Sequence, residues 1–251
     1  MKPVAVEGLS RHFEGIQALS DVSFTVDKGE RLVIMGPNGA GKTTLFNLIT
    51  GEIPPTDGKV LLFGQDVTYM PPYRRTQLGI ARTFQITNLF PNLTLHENIL
   101  LAVLGVSDQK FTMHQKISSC KEILARIDRL LASWDLQSYR QTLVRNLSYG
   151  VQRQVEVIMA LSGGARIVLL DEPTSGLSAA ETGTLTSMIL GLDRDVTLII
   201  IEHDMDVAFR LAHTMMVLHH GTVIAAGPPA EIRADSRIKE IYLGVEGTAT
   251  C

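Results

Sequence analysis

A glycine-rich loop between a predicted strand and a predicted helix constrains the fold of this chain most strongly. Apolar residues 31–35 are typical of a buried strand, and residues 42–50 are predicted to form a helix that ends near Gly51. The loop fits the pattern G-x-x-x-x-G-K-[ST]. Its residues are Gly36, Pro37, Asn38, Gly39, Ala40, Gly41, Lys42 and Thr43. In this context the pattern predicts a site for a nucleoside triphosphate.

Each part of this loop has a physical role toward phosphate. Glycines let the backbone wrap closely enough for its N–H groups to reach phosphate oxygens, and the helix N-terminus adds partial positive charge. Lys42 would place a full charge on the outer phosphates, and the hydroxyl of Thr43 would bind Mg²⁺. Thr44 completes the segment that we predict to contact the nucleoside triphosphate. A glycine turn without a ligand is the structural alternative.

A second apolar segment ends in two carboxylates. Residues 167–170 are predicted to form a buried strand, and Asp171 and Glu172 follow it directly. If this strand lies beside the strand of the phosphate loop, Asp171 reaches Mg²⁺ directly or through water. Glu172 then faces the γ-phosphate and orients or deprotonates the attacking water. Two charged residues at a solvent-exposed strand end are the alternative. Together with the phosphate loop, the two carboxylates predict hydrolysis of a nucleoside triphosphate.

The order of elements predicts an α/β fold with a parallel or mixed sheet. After residue 147, helical patterns alternate with short apolar strands at residues 167–170 and 197–201, before a strand pair near 215–218 and 223–226. Residues 19–26 and 59–63 add strands to an early, strand-rich region. Between residues 95 and 147 apolar residues recur at helical spacing. That stripe contains Ile117, Cys120, Ile123, Leu124, Ile127, Leu130 and Leu131.

The bulk properties argue against several classes of protein. A net charge of −3 gives no basic field for nucleic acid or an acidic membrane surface. Cys120 and Cys251 are the two cysteines, and they suggest no disulfide framework or zinc cluster, which fits a reducing compartment. No segment approaches the ~18 consecutive apolar residues of a membrane-spanning helix. If the protein works at a membrane, another chain must hold it there.

The segment upstream of the acidic pair resembles the signature sequence of ABC transporter nucleotide-binding subunits, Leu-Ser-Gly-Gly-Gln. Ser148 and Gly150 match this sequence, whereas Tyr149 and Val151 depart from it. Ser148 can also cap the helix that begins near Gly150, so an ordinary N-cap is the alternative. A capped helix N-terminus that contains glycine is itself a site for an anion.

Further motifs stand in the order of that family over nearly the whole chain. The resemblance implies that Phe13 stacks on adenine and that Gln85 touches Mg²⁺ and the attacking water. It also implies that His203 hydrogen-bonds the γ-phosphate and helps to hold the catalytic geometry. The structural alternatives are a phenylalanine packed in a strand, an amide in a surface loop and a histidine that only ends a strand.

Two departures from the family pattern bear on activity. Ser178 stands where many relatives have aspartate, in a loop that crosses the interface between two such subunits, so the strength of coupling between the two sites is left open. Val151 replaces a polar residue of the signature sequence, so one side chain that could form a hydrogen bond is lost. Neither change touches Glu172, so we expect hydrolysis to survive. A subunit that binds ATP without hydrolysing it is the alternative.

The resemblance implies a phosphate-loop NTPase core with an antiparallel β-subdomain, formed by residues 1–85 and 147–227. Residues 86–146 form an inserted helical subdomain, and residues 228–251 a C-terminal extension. Two ATPase subunits, identical or paralogous, face each other head to tail, and Ser148 and Gly150 of one complete the ATP site of the other. Transmembrane permease subunits hold the pair on the cytoplasmic face of the inner membrane, near Leu89 and Phe90. No contact with cargo or nucleic acid is expected.

Within the family, the segments 79–85, 88–94, 147–150, 201–207 and 242–244 are similar to ATPases of branched-chain amino acid importers, whose near relatives carry urea or short amides. An ATPase of lipopolysaccharide export is the competing branch. A soluble ABC ATPase of DNA repair or translation usually carries two cassettes or a long coiled coil, whereas this chain has one phosphate loop. A phosphate-loop kinase would need an acceptor site and a lid, and ATP-driven dimerisation would distinguish it.

Overall fold

A computed structural model describes residues 1–83, 89–106 and 121–243. The strands are β1 Val4–Phe13, β2 Ile16–Val26, β3 Arg31–Met35, β4 Asp57–Leu62, β5 Gln65–Asp66, β6 Ile80–Arg82, β7 Ile167–Asp171, β8 Thr197–Ile201, β9 Thr214–His219 and β10 Thr222–Gly227. The helices are α1 Lys42–Thr50, α2 Pro72–Leu78, α3 Leu95–Val106, α4 Lys121–Ser133, α5 Tyr149–Ser162, α6 Ala179–Leu190, α7 Met205–Leu211, α8 Pro229–Ala234 and α9 Ser236–Leu243. Short 3-10 turns occupy Gln137–Tyr139 and Val144–Asn146.

The larger sheet has the order β10-β9-β3-β8-β7-β6. Its neighbours pair in parallel from β9 through β6, and β10 closes one edge as an antiparallel hairpin with β9. The predicted mixed sheet is therefore present. The structure corrects one expectation: β7, which carries Asp171, does not lie beside β3, because β8 pairs with both and separates them. Strand order depends on long-range pairing, which local sequence patterns do not report.

The apolar strands of this sheet contribute to two separate cores. Successive side chains of a strand point to opposite faces. In β8, Leu198 and Ile200 belong to one cluster, which α3 to α7 cover, and Ile199 and Ile201 belong to the other. The second cluster contains α1 and the inner residues of the smaller antiparallel sheet, whose order is β2-β1-β4-β5. The main sheet is thus buried on both faces, as expected for parallel strands.

The helical region between β6 and α5 packs on the main core. Ile127 and Leu131 of the predicted stripe are fully buried there, and Ile123 and Leu130 pack against the same cluster. The other described member of the stripe, Leu124, is half-buried, whereas residues 117 and 120 lie outside the described residues. The division into domains stays a prediction. Within the described residues, no helix is long and apolar enough to cross a membrane.

Sequence patterns did not predict α2 or β6, yet α2 stabilises the helix after the phosphate loop. Arg75 of α2 is almost fully buried. Its guanidinium donates to the carbonyls of Leu48 and Ile49 at the end of α1, each at 2.8 Å, and also to those of Thr68 and Met70. Carbonyls in the last turn of a helix lack intrahelical partners, and a cation there also favours the helix dipole. Burial lowers the pKa of Arg75 to about 10.

Candidate functional site

The phosphate loop connects β3 to α1 and can do so only with glycines at its two ends. Gly36 has φ +154° and Gly41 has φ +102°. A Cβ on Gly36 would lie 2.2 Å from the carbonyl oxygen of Leu218, and one on Gly41 would lie 2.6 Å from that of Ala18. Any other residue would therefore clash with neighbouring backbone. The loop is held close to β9 and β2, and α1 begins directly after it at Lys42.

A cavity of about 330 Å³ opens over this loop. Its wall is formed by Ile16, Gln17, Ala18, Asn38, Gly39, Ala40, Gly41, Lys42, Thr43, Thr44, Glu172 and His203. The structure thus brings the predicted phosphate-binding segment together with Glu172 and His203, from three separate parts of the sequence. The β2 residues in this wall were not predicted, because an exposed strand end gives no local signal of a site.

Lys42 lies at the N-terminus of α1 with its side chain largely buried. Its ammonium group donates to the carbonyls of Gly36 and Pro37, at 2.6 and 3.0 Å. Burial lowers the pKa of Lys42, while the charges of Glu172 and Asp171 act in the opposite direction. A cation beside the helix N-terminus and the loop's N–H groups makes this end of the cavity a site for anions.

Glu172 and His203 meet across the top of the sheet. Oε1 of Glu172 contacts Nε2 of His203, and both side chains form part of the cavity wall. Glu172 has φ +48°, a left-handed conformation that is strained in residues other than glycine. Its N–H donates to the carbonyl of Ile201 at the end of β8, at 2.9 Å. The neighbouring strands β7 and β8 therefore set the carboxylate and the imidazole side by side.

Asp171 is the last residue of β7 and directly precedes Glu172. Its Oδ2 accepts from the guanidinium of Arg82 at 2.8 Å, and its N–H donates to the hydroxyl of Thr83 at 3.2 Å. The guanidinium of Arg82 also donates to Asn47 of α1. These contacts join β6, β7 and α1 next to the phosphate loop. The predicted residue Gln85 follows shortly after β6 and lies outside the described residues.

A buried glutamate beside the site was not singled out from the sequence. Glu202 lies between β8 and His203 and is 2% exposed. Its carboxylate accepts from the N–H and the hydroxyl of Thr174 and from the N–H of His203. Burial raises the pKa of Glu202 to about 7, although these hydrogen bonds act in the opposite direction. The sequence signal that could have pointed to Glu202 is a charged residue directly after an apolar strand.

The segment that resembles the signature sequence begins a helix. Ser148 is the N-cap of α5, and its hydroxyl accepts from the N–H of Val151 at 3.3 Å, as expected. Gly150 passes so close to Glu181 that a Cβ would lie 2.4 Å from the carboxylate. Tyr149 accepts from the guanidinium of Arg153 at 2.9 Å. Ser148 and Gly150 are not part of the cavity wall formed by the described residues of their own chain.

Ser178, at the position of the expected aspartate, is the N-cap of α6. Its hydroxyl accepts from the N–H of Glu181, and the carboxylate of Glu181 accepts from the N–H and hydroxyl of Ser178. This reciprocal arrangement is a capping box. The hydrogen bonds from Ser178 lower the pKa of Glu181. The serine therefore caps the helix and also donates to the Glu181 carboxylate, which an ionised aspartate could not do.

Phe13 lies at the end of β1 and is 39% exposed. It pairs with Ile16 across the β1–β2 hairpin, and the guanidinium of Arg11 lies 4.5 Å from the ring centroid. The adjacent Ile16, rather than Phe13, forms part of the cavity wall. The ring is accessible near the phosphate loop, and its role in stacking on adenine stays a prediction.

Known proteins of one family are similar to this chain. The family described as "ABC transporter" matches residues 19–175. The chain is 32% identical over 98% of its length to a probable branched-chain amino acid transport ATP-binding protein, LivG, of Archaeoglobus fulgidus, of which the match covers 97%. It is 32% identical to BraF of Pseudomonas aeruginosa, a high-affinity branched-chain amino acid transport ATP-binding protein, over 95% of this chain and 96% of BraF. It is also 30% identical to the lipopolysaccharide export ATP-binding protein LptB of Haemophilus influenzae, over 97% of this chain and 98% of LptB.

Solved structures show the same fold. An ATP-binding cassette of an ABC transporter in its ADP conformation superposes with a TM-score of 0.87, at 29% identity and over 97% of this chain and 99% of the other. A dimeric cassette in a post-hydrolysis state, bound to ADP and phosphate, superposes with a TM-score of 0.77, at 25% identity and over 90% of this chain and 98% of the other.

Proposed function

Because this chain belongs to the ABC transporter family and is an ATP-hydrolysing transporter subunit, we propose that it powers the import of branched-chain amino acids or related small amides. The observation that carries this proposal is the similarity, over nearly the full length, to LivG of Archaeoglobus fulgidus and to BraF. The cargo is inferred by analogy, since an ATPase subunit of this kind does not contact it.

We propose that the phosphate loop and Lys42 bind the phosphates of ATP, and that Phe13 stacks on its adenine. The described residues fit a Mg²⁺ ion, since the Thr43 hydroxyl in the cavity wall and the carboxylate of Asp171, whose charge acts on Lys42 of the same wall, are the hard oxygen donors that this ion takes. Gln85 is the further proposed ligand. The ion would neutralise charge on the phosphates.

Glu172 is the proposed catalytic base. Its carboxylate lies in the same cavity wall as the phosphate-binding residues, where it can orient or deprotonate a water for attack on the γ-phosphate. His203 touches this carboxylate and would donate a hydrogen bond to the γ-phosphate oxygens as charge shifts. The strained backbone at Glu172 supports a functional role, since such conformations cluster at active sites.

The proposed active assembly is a head-to-tail dimer of ATPase subunits, identical or paralogous. Among the described residues, Ser148 and Gly150 are not in the cavity wall of their own chain, which fits a role toward the nucleotide of the opposite subunit. ATP bound by both halves would stabilise the closed dimer, because the ligand binds that state best. Hydrolysis would remove the bridging phosphate and permit reopening. A similar cassette bound to ADP and phosphate is dimeric, which supports the pairing of two ATPase subunits.

Permease subunits are the proposed partners that hold the chain, as a peripheral protein, at the cytoplasmic face of the membrane. Phe90 is 52% exposed, and Leu89 beside it packs on the core. A neighbouring cavity of about 240 Å³ is lined by Arg82, Thr83, Leu89, Ala102, Glu156, Met159 and Ala160. Residues from β6 and the helical region meet there, so a helix inserted from a permease would contact both. The helical region would then transmit motion to that partner.

The cargo is tested in the source organism. The gene is deleted, and the strain is complemented with the wild-type chain or with the Lys42→Ala variant. We expect deletion to abolish high-affinity uptake of labelled leucine, isoleucine and valine, or of urea and short amides. The wild-type chain should restore uptake, and the variant, which cannot hold the phosphates, should not. Unchanged uptake of all these solutes in the deletion strain would refute the proposal.

Export of lipopolysaccharide is the second candidate, because LptB is also similar over nearly its full length. The same deletion strain distinguishes the two functions. Lipopolysaccharide that accumulates in the inner membrane, with amino acid uptake unchanged, would assign the chain to export.

A further inference from the structure

The carboxylate of Glu202 joins the two loops that carry the proposed catalytic pair. Oε1 accepts from the N–H and from the hydroxyl of Thr174, at 3.2 and 2.9 Å. Oε2 accepts from the N–H of His203 at 3.2 Å. The side chain is 2% exposed, so these protein groups, rather than bulk solvent, satisfy it. One buried carboxylate thus connects the loop after β7 with the loop after β8.

This connection bears directly on the relative position of Glu172 and His203. Thr174 is two residues beyond Glu172, and the N–H of Ser175 donates to the carbonyl of Glu172 at 3.1 Å, which closes a tight turn around it. His203 follows Glu202 directly, and its backbone N–H is one of the three donors. A shift of either loop would therefore change the contact between carboxylate and imidazole.

The three partners of Glu202 are all donors, and a carboxyl group can accept from all of them whereas an amide cannot. A carboxylate offers acceptor sites on both oxygens, whereas a glutamine offers one oxygen and a donor group. Glutamine could accept from Thr174 or from His203, but it would face the other with an N–H. An isosteric change therefore breaks one side of the connection and keeps the volume of the side chain.

We propose that Glu202 is a positioning residue for ATP hydrolysis, which holds His203 and the turn after Glu172 in the register that the reaction requires. The proposal rests on the roles proposed above for Glu172 and His203. It assigns Glu202 no contact with ATP, so its effect should appear in turnover and not in nucleotide binding. Misplacement of a catalytic group by about 1 Å can cost on the order of 100-fold in rate.

The test measures ATP turnover of the full chain, purified from membranes of its source organism with the partner subunits that accompany it. Wild type, Glu202→Gln and Thr174→Val are compared at varied ATP concentration. Asp66→Asn is the matched control, because Asp66 also accepts from the N–H and hydroxyl of a threonine but lies on β5 of the smaller sheet. For Glu202→Gln we expect kcat to fall by about tenfold or more, with KM within about twofold. The control should keep wild-type kcat.

The double variant Thr174→Val/Glu202→Gln tests whether the two residues act through the same hydrogen-bonded connection. If both residues act through one connection, the double variant should be no slower than Glu202→Gln alone, because coupled residues are not additive. A wild-type kcat for Glu202→Gln would overturn the proposal. The proposal would also be overturned if kcat fell because the variant is partly unfolded at the assay temperature, which a lowered thermal unfolding midpoint would show. Glu172→Gln and His203→Ala are measured in parallel, and full activity in both would instead refute the proposed catalytic pair.

Discussion

The guanidinium of Arg82 lies 2.8 Å from the carboxylate of Asp171, and the two side chains are 6% and 3% exposed. This buried ion pair joins β6 to the end of β7, next to the phosphate loop. Asp171 is thereby fixed in the orientation in which we propose it meets Mg²⁺. Because both charges are removed from water, each depends on the other for compensation.

Arg82→Gln should therefore destabilise the fold strongly. The change leaves Asp171 buried without its cation, and we expect the free energy of unfolding to fall by about 3–5 kcal/mol in urea titrations. Arg237→Gln is the matched control, since Arg237 pairs with Asp235 at the surface. That pair should contribute little to stability, because solvent screens its charges. Equal losses in the two variants would contradict this view of the Arg82 pair.

Arg75→Lys should also reduce stability, although it keeps the charge. A lysine cannot reproduce the planar fork that donates to carbonyls of Leu48, Ile49, Thr68 and Met70. We expect a loss of about 2–3 kcal/mol in the free energy of unfolding, as buried carbonyls lose charged donors. The control is Arg74→Lys, whose side chain is exposed. A loss no larger than that of the control would show that these hydrogen bonds contribute little.

Glu202 should make stability depend on pH in an unusual direction. Burial raises its pKa from the ordinary 4.5 to about 7 in the folded protein, with a smaller contribution in the same direction from Asp204. Between these values the folded chain holds a proton that the unfolded chain has lost, so stability falls as pH rises through this window and levels off above it. Glu202→Gln lacks this dependence. From pH 5 to pH 8, we expect the unfolding free energy of wild type to fall by about 2–3 kcal/mol relative to that of the variant. A difference that stays constant over this range would mean that the glutamate titrates normally.

Ser178→Ala and Ser178→Asp test what the serine contributes. Alanine removes the capping box at the start of α6, and we expect it to lower the free energy of unfolding by about 1 kcal/mol. Aspartate can still accept from the N–H of Glu181 but cannot donate to the carboxylate of Glu181, so we expect a stability between that of alanine and that of wild type. Thermal or urea unfolding of the two variants decides this. Loss of stability with aspartate and not with alanine would argue against a capping role.

Local patterns predicted the elements that local physics determines. The helix at residues 42–50 and the strand at 197–201 were confirmed with unchanged bounds as α1 and β8. Both have simple signals, a glycine loop with a helix behind it and a continuous run of β-branched and apolar residues. The N-cap at Ser148 followed for the same reason, since a cap involves residues three positions apart.

Contacts between distant segments could not be predicted in this way. The placement of β8 between β3 and β7 depends on pairings across the sheet, and the prediction of adjacent strands was wrong. Arg75 gave no signal because the carbonyls that it caps belong to a helix far upstream. Glu202 looked like an ordinary charge at a strand end, and its burial depends on the loop that contains Thr174.

ATP turnover of the Glu172→Gln variant tests the central claim most directly. The assembled protein is compared with wild type for nucleotide binding, steady-state turnover and, by size-exclusion chromatography with ATP and Mg²⁺, the state of the ATPase pair. We predict that the variant binds ATP like wild type, turns over at least about 100-fold more slowly and accumulates as the closed pair. Turnover at the wild-type rate would contradict the assignment of Glu172 as the catalytic base.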